Sequence, residues 1–337
     1  MADHNTTRGE FDLIRTMFER WNASGVAGDM GDDAALLPFS DSQLLVVTVD
    51  MLIEGRHFKS EWSSWKDIGY KSIAVNLSDI AAMGARPANL FISLGLTEEL
   101  TTSDAFDELI KGMEEICHEF GCTIDGGDTT RSEQDAIISV TAMGKAQQSQ
   151  VKKRDAARPG DIIAVTGTLG DAAAALDLLL DQTTTTPPDA KAIFDRLHRP
   201  VPRVKEGMWL ATRPGVHAMI DLSDGLAGDI KHIMERSRCG AEIDLDRLPL
   251  SDELRQVAQL NNRNAAILAG RGGDDYELLF TVSPDRWDNL KEAFEAELSL
   301  PVSSIGTITD AEGDLEFTEA GQKLDHPLQS YDHFKSD

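Results

Sequence analysis

The 337-residue chain has few cysteines, a shortage of positive charge and no long apolar run. Its three cysteines, Cys117, Cys122 and Cys239, match no zinc or redox spacing, so we expect reduced and buried thiols. Lys and Arg number 32 against 58 Asp and Glu, a formal net charge of −26. Such a surface repels nucleic acid and anionic lipid, and neither is an expected partner. No run approaches the roughly 18 apolar residues of a membrane span.

The common catalytic signatures are missing as well. The sequence contains no phosphate-binding P-loop, no dinucleotide glycine motif, no HExxH zinc motif and no GxSxG nucleophile elbow. The polar first residues, MADHNTTRGE, lack the apolar segment of a signal peptide, so we expect a cytoplasmic protein. A polyanionic ligand would need a positive agent beside so acidic a chain, and a metal ion is the obvious one. The acidity is equally typical of adaptation to high salt.

Helical and strand-like patterns alternate along the whole chain. In the first half they predict helices over 10–21, 65–84 and 103–120 and strands over 43–50, 90–96, 122–125 and 136–144. In the second half they predict strands over 161–167, 218–221, 241–245 and 276–282, with helices after Leu169 and from Leu226. Because some strands follow one another directly and others are separated by helices, we predict two mixed α/β domains. The polar and basic stretch 148–160 sets their boundary, giving residues 1–150 and 151–337.

Aspartates stand at the ends of apolar runs, most of them beside Gly or Ser. They are Asp32, Asp33, Asp50, Asp79, Asp128, Asp221, Asp224, Asp274 and Asp275. Taken singly, each is typical of a helix N-cap or a turn. Several of them facing one cleft would suit two or more magnesium ions, which bind carboxylate and phosphate oxygens together. Asn76 and Asp79 fit a cap poorly, because they share one face of an otherwise apolar helix and a buried carboxylate needs a partner.

Two glycine pairs and two basic residues can each be interpreted either as ligand contacts or as ordinary structural features. Gly126 and Gly127, like Gly272 and Gly273, precede aspartates and would let the backbone approach a ligand, although tight turns explain them equally well. Arg154 is either a phosphate contact or a solvated charge. His57 is either a ligand contact or an ordinary loop histidine.

Six segments jointly resemble the thiamine-monophosphate kinases, a family in the superfamily of aminoimidazole ribonucleotide synthetase and selenophosphate synthetase. In chain order they are GDDAALL, VNLSDIAAMGA, GGDTT, RPGDIIAVTGTLGD, IDLSDGLAGD and GGDDYELLF. The resemblance implies ATP-dependent phosphorylation of thiamine monophosphate to thiamine diphosphate. It also implies a mixed α/β fold in which the N-terminal sheet, which binds Mg-ATP, forms a barrel across a homodimer. A C-terminal α/β sandwich would complete active sites between the halves.

The same resemblance implies a set of site residues. The implied magnesium ligands are Asp33, Thr48, Val49, Asp50, Asp79, Asp128, Asp221 and Asp224. The implied ATP contacts are Thr48, Gly127, Asp128, Arg154 and Ser223, and the implied substrate contacts are His57, Asp274 and Tyr331. Three positions depart from the family pattern. Val49 replaces a hydroxyl residue and can offer only its backbone, Asp274 replaces a glutamate, and an aromatic residue is missing at Ala105, where neighbouring Phe106 is the expected substitute.

The chemistry of this reaction suits a chain rich in carboxylates. The acceptor is a phosphate monoester with a second pKa of about 6, so it is already ionised and needs no general base. The obstacle is the approach of two anions, which several magnesium ions would relieve, and we predict direct transfer without a phosphoenzyme.

Two alternatives remain. One is a sister enzyme of the superfamily, although selenophosphate synthetases use a cysteine near the N-terminus and the first cysteine here is Cys117. Hydrogenase-maturation relatives use a C-terminal cysteine, whereas this chain ends in YDHFKSD. The other alternative is a non-catalytic acidic metal-binding protein, which would form no ADP.

Overall fold

The computed structural model describes residues 10–26, 28, 31–181, 183–188, 190–325 and 328. The helices in these ranges are α1 (Glu10–Ala23), α2 (Trp65–Ala82), α3 (Glu98–Thr102), α4 (Ala105–Phe120), α5 (Asp171–Leu180), α6 (Lys191–His198), α7 (Val204–Ala211), α8 (Leu226–Ser237), α9 (Asp252–Leu260), α10 (Ala265–Arg271) and α11 (Pro284–Leu298). The strands are β1 (Ala35–Pro38), β2 (Gln43–Ile53), β3 (Arg86–Leu96), β4 (Thr123–Arg131), β5 (Ile137–Gln147), β6 (Ile162–Thr166), β7 (Val216–Asp221), β8 (Gly240–Asp244), β9 (Leu278–Val282), β10 (Val302–Thr309), β11 (Leu315–Glu319) and β12 (Gln322–Lys323). Two mixed sheets result, which confirms the mixed α/β prediction.

The first half of the chain forms a five-stranded sheet in the order β1-β2-β5-β3-β4. All its pairs are antiparallel except β3 with β4. Helices α2 and α4 pack against each other backbone to backbone, because glycines stand where they cross. A Cβ on Gly69 would lie 2.0 Å from the carbonyl oxygen of Leu109, and one on Gly112 would lie 1.8 Å from that of Lys66. This close packing fixes α2 against the sheet.

The sheet has one face toward α2 and one open face. Alternation along β2 turns Thr48 toward α2, where its hydroxyl meets Asp79, and turns Val49 the other way. Val49 is 62% exposed, and its row in the register continues through Thr141 to Phe91, which is 40% exposed. Met51 and Ile124 add to the exposed apolar surface. We call these four residues, Val49, Met51, Phe91 and Ile124, the apolar strip.

The second half forms a seven-stranded sheet in the order β12-β11-β8-β10-β6-β9-β7. Alternate residues of the inner strand β6 enter different cores: Ile163 packs with α5, α8, α9 and α10, whereas Ala164 packs on the side of α2. The core on that second side joins residues of both halves, among them Ile73 of α2 and Met219 of β7. Helix α2 is therefore shared between the two halves. No helix in the described ranges is long and apolar enough to cross a membrane.

Several predicted elements have other ends in the structure, and three of these differences have a clear physical reason. The strand predicted over 122–125 continues to Arg131, so Gly126 and Gly127 lie inside β4 and the tight-turn interpretation is wrong there. Gly127 is needed because a Cβ on it would lie 1.7 Å from the carbonyl oxygen of Ile92. The helix predicted over 103–120 begins at Ala105, since Ser103 has extended dihedral angles and ends α3. The strand predicted from Tyr276 begins at Leu278, because Tyr276 has a positive φ of 50°.

Candidate active site

Three carboxylates from distant parts of the chain meet between the halves. Asp33 precedes β1, Asp79 lies in α2 and Asp221 ends β7, and one oxygen of each lies within 4.8 Å of the others. The Asp33 side chain is 1% exposed and Asp221 is buried. Like charges at this separation repel strongly where water cannot screen them. The cluster therefore requires protons or cations to balance it.

The pKa values of the cluster show this imbalance. Burial, and then the charges of Asp50, Asp221 and Asp33, raise the pKa of Asp79 well above its ordinary value. Burial and Asp33 do the same to the pKa of Asp221, and burial raises that of Asp50 to about 6. Carboxylate oxygens are the donors that magnesium prefers, and a bound cation would replace the protons. The donor set fits magnesium.

Strand β2 supports the cluster from the sheet. The Thr48 hydroxyl donates to Asp79 Oδ2 at 2.5 Å, and the Asp50 backbone N–H donates to Asn76 Oδ1 at 3.1 Å. Asn76 and Asp79 thus serve the site from one face of α2, as their spacing predicted. The Ile53 N–H donates to His57 Nδ1 at 3.0 Å, which leaves Nε2 to carry the proton of a neutral ring.

Arg154 brings positive charge to the cluster. Its Nη2 lies 2.5 Å from Asp33 Oδ1, and its backbone N–H donates to Asp32 Oδ1 at 3.0 Å. Burial opposes the guanidinium charge, but Asp33 and Asp221 outweigh it and raise the pKa of Arg154 above its ordinary value. The Ser237 hydroxyl donates to the Arg154 carbonyl at 2.7 Å. Because the side chain is 16% exposed, the interpretation of Arg154 as a solvated surface charge is wrong.

The segments IDLSDG and GGDDYEL lie side by side. The Asp274 N–H donates to the Ser223 carbonyl at 2.8 Å, and the Tyr276 N–H donates to the Leu222 carbonyl at 2.8 Å. Gly273 permits this approach, since a Cβ there would lie 2.4 Å from the Ser223 carbonyl oxygen. These bonds hold Ser223 and Asp274 next to the cluster that Asp221 enters.

Two residues absent from the predicted site support these segments. Asp229 of α8 accepts the backbone N–H groups of Asp224 and Gly225 at 3.2 and 3.1 Å, and its burial raises its own pKa. Lys71 of α2 reaches Asp274, with Nζ 2.8 Å from Oδ2. The sequence signal for Asp229 was its place in IDLSDGLAGD, whereas Lys71 carried none.

Several predicted residues do not join the cluster. Asp128 shares a register row with Ser93 and Met51 and is exposed, so it lies on the open face of the sheet with the apolar strip. Asp275 turns inward, where its Oδ1 accepts the Gly170 N–H at 2.8 Å. Tyr331 lies outside the described residues.

A cavity of about 730 Å³ opens at the end of β2. Its lining includes Gly55, Lys59, Trp65, Leu100 and Ala105, which offer both polar and apolar surface. Phe106, the expected substitute for the missing aromatic residue, packs against the hydrophobic core instead. Trp65 is the aromatic residue that lines this cavity.

Comparison with known proteins identifies the family. Residues 31–146 match the N-terminal domain and residues 158–316 the C-terminal domain of the AIR synthase related proteins. Thiamine-monophosphate kinase of Salmonella typhimurium is 38% identical over 331 residues, which cover 97% of this chain and 98% of that one. This chain belongs to the thiamine-monophosphate kinase family.

Solved structures of thiamine-monophosphate kinases agree with this assignment. That from Stenotrophomonas maltophilia is 41% identical, with a TM-score of 0.75 over 95% of this chain and 99% of that one. AaThiL complexed with AMPPCP and TMP is 32% identical, with a TM-score of 0.84 over 98% of this chain and 100% of that one. The family resemblance found in the six sequence segments is confirmed.

Proposed function

We propose that this chain phosphorylates thiamine monophosphate with ATP, giving thiamine diphosphate and ADP, the last step of thiamine diphosphate biosynthesis. The observation that carries the proposal is the meeting of Asp33, Asp79 and Asp221 at the junction of the halves, where the segment that contains Asp221 is hydrogen-bonded to residues 274 and 276. The complex of AaThiL with AMPPCP and TMP supports a nucleotide and a thiamine phosphate as the two occupants.

Magnesium fits the carboxylate cluster by its donor chemistry. Asp33, Asp79 and Asp221 would hold it, with Thr48 and Asp50 contributing from β2. Bound there, magnesium supplies positive charge that screens the two phosphates and favours in-line attack. The family motif adds Asp224 and the backbone of Val49 as further ligands. It also adds Asp128, which lies on the open face of the sheet and would bind a metal apart from this cluster.

On the nucleotide side, Arg154 keeps a permanent positive charge against Asp33 and would also attract phosphate oxygens. Thr48 and Ser223 offer hydroxyl groups, and Gly127 and Asp128 complete the set by motif. The cavity beside Trp65 would take the adenine, because aromatic surface stacks on a base.

On the acceptor side, His57 and Asp274 would face the thiamine phosphate, with Tyr331 added by motif. No side chain is needed to remove a proton, because the acceptor phosphate is already ionised at neutral pH. The work of the chain is therefore to bind and align two anions. Transfer would be direct.

We place the active enzyme in the cytoplasm as a homodimer. The apolar strip gives each sheet a surface that a second copy would cover, and two such sheets would close into a barrel. Residues 1–150 would form the dimerising and Mg-ATP-binding domain, and residues 151–337 would complete the site. No nucleic acid or membrane is proposed as a partner.

The sister-enzyme alternative finds no support from the cysteines, since Cys117, Cys122 and Cys239 are all buried. A reactive thiol needs both access and a positive neighbourhood. Burial raises the pKa of Cys239 to about 11, which disfavours its thiolate.

The test is ADP release from ATP and magnesium, measured with thiamine monophosphate and with thiamine as acceptors. We expect ADP to match thiamine diphosphate, and thiamine to react poorly, because its neutral hydroxyl would need a base. Asp79→Asn should lower kcat by about 100-fold or more, since a metal site supplies several kcal/mol of transition-state stabilisation.

The matched control is Asp107→Asn, at an exposed carboxylate of α4, which should leave kcat unchanged. Absence of turnover across a wide range of salt would favour a sister enzyme or a metal-binding protein. Comparable turnover of thiamine and thiamine monophosphate would contradict a mechanism without a base.

A further inference from the structure

Lys71 is a buried cation at the junction of the halves. It stands in α2, its side chain is 8% exposed, and Nζ lies 2.8 Å from Asp274 Oδ2 in the second half. Among the described residues, Asp274 is the one hydrogen-bond partner of this ammonium group. Burying a cation is costly unless its partner is well placed, so the pair is a feature that the surrounding structure must maintain.

The Asp274 carboxylate is held at both oxygens. Lys71 bonds Oδ2, and the Tyr276 hydroxyl donates to Oδ1 at 2.8 Å. An ionised carboxylate has about four acceptor positions, so about two remain. The Asp274 side chain is 34% exposed, so a ligand can reach this carboxylate. The Asp274 carboxylate is therefore held in place and can still accept hydrogen bonds from a ligand.

The backbone that carries this carboxylate is strained. Asp274 and Tyr276 have φ values of 65° and 50°, in the left-handed region that side chains disfavour. Strained backbone persists where its surroundings hold it, and such strain is concentrated at functional sites. Lys71 holds the segment from across the junction, because it is anchored in α2 rather than in the second half.

The charge of the pair matters to an anionic acceptor. A lone Asp274 carboxylate would repel the phosphate of the acceptor. Paired with Lys71, it offers hydrogen-bond acceptors with a net charge near zero. Thiamine carries an exocyclic amino group, which can donate a hydrogen bond to such an acceptor, and the phosphate of thiamine monophosphate is not repelled.

We propose that Lys71 is a positioning residue that fixes the Asp274 carboxylate toward the thiamine moiety and thereby sets the affinity for the acceptor. Lys71 acts through Asp274 and does not touch the phosphate of the substrate. The inference rests on the proposed function, because it assumes that thiamine monophosphate is the phosphoryl acceptor.

The first experiment compares thiamine and thiamine monophosphate as ligands, by calorimetry, in the full chain. Lys71→Met should weaken the binding of both ligands by about 10-fold, because a charge-assisted hydrogen bond that orients Asp274 is lost. KM for thiamine monophosphate should rise by a similar factor, with KM for ATP and kcat changed less than about 2-fold. Lys71→Gln keeps an N–H donor and should recover part of the affinity. The matched control is Lys66→Met, on the same helix, whose partner is the exposed Glu115.

The second experiment is a double-mutant cycle. In an Asp274→Asn background, Lys71→Met should change the binding of either ligand by less than about 2-fold. Additive losses would overturn the proposal. So would a loss confined to thiamine monophosphate, which would mean that Lys71 contacts phosphate, or an equal loss for ATP, which would mean a general structural role.

A third measurement separates this inference from the proposed function. Without any substrate, Lys71→Met should speed hydrogen exchange in residues 272–277 relative to Lys66→Met, because the strained segment loses its anchor. Unchanged exchange would overturn the positioning role even in an active enzyme. Faster exchange in a protein that never phosphorylates thiamine monophosphate would instead overturn the proposed function and leave the anchoring in place.

Discussion

Asp79 is a carboxylate in a position that a protein interior disfavours. Burial and three neighbouring carboxylates raise its pKa, and the hydrogen bond from Thr48 opposes them. A buried charge without compensation lowers the free energy of unfolding, so the residue is a cost to the metal-free fold. The balance of charge around Asp79 therefore links binding, protonation and stability.

Asp50 allows this linkage to be measured. Burial raises its pKa from 3.8 to about 6, so the folded chain binds the proton more tightly than the unfolded chain does. The stabilisation is fully present below pH 3.8 and is lost as the pH rises through about 6. Without metal, the free energy of unfolding of Asp50→Asn should therefore equal that of the wild type near pH 4. Near pH 8 it should be higher than that of the wild type by on the order of 2 kcal/mol.

Melting curves of both proteins between about pH 4 and pH 8, without metal and then with magnesium, check this expectation. At high pH, magnesium should raise the melting temperature of the wild type and remove its difference from Asp50→Asn, because magnesium compensates the carboxylate charge that Asn lacks. A gap that stays constant with pH would contradict the linkage.

At the scale of elements, the sequence allows most of the first half to be predicted. Helix α2 was predicted over 65–84 and spans Trp65–Ala82, because its apolar run is long and Asn76 and Asp79 share one face. Strand β4 was predicted too short, since a glycine pair is typical of a turn and the close approach of Gly127 to β3 is a tertiary fact. The sequence patterns do not predict helices α3, α6, α7, α9, α10 and α11 or strands β1, β10, β11 and β12.

The site shows the same division. The motif positions of Asp33, Asp79 and Asp221 could be read from the sequence, and the structure brings them together. Lys71 could not be found in that way, because its partner Asp274 is 203 residues away along the chain. The family motif groups Asp128 with the cluster, whereas strand alternation places it on the open face.

The crossing of α2 and α4 gives a prediction at this scale. Gly112→Ala should destabilise the protein by about 3 kcal/mol or more, because the added Cβ would lie 1.8 Å from the Lys66 carbonyl oxygen and 2.8 Å from the Tyr70 nitrogen. Thermal melting measures the loss. Gly28→Ala is the control, since nothing lies within 4 Å of its added Cβ. If both variants melt like the wild type, the helices are not in close contact.

At the scale of the whole molecule, the apolar strip predicts a dimer. Light scattering should give twice the 36.8 kDa mass of one chain, and Phe91→Lys should give a single chain, because a charge would be buried in the interface. Leu180→Lys, at an apolar residue that is 60% exposed on α5, should leave the dimer intact. Added salt should favour the dimer, since two chains of −26 repel. A wild type that stays monomeric at micromolar concentration and high salt would contradict the prediction.

The sharing of α2 between the halves also restricts how relatives can recombine. A crossover between two homologous genes within the linker 148–160 leaves both sheets complete. In the resulting chimera, however, α2 comes from one parent and packs against β7 and α7 from the other. Gly84 shows how close the fit is, because a Cβ there would lie 2.4 Å from the Cβ of Ala211. A functional chimera must therefore inherit both sides of this contact together, so the unit of exchange is the whole chain rather than either half.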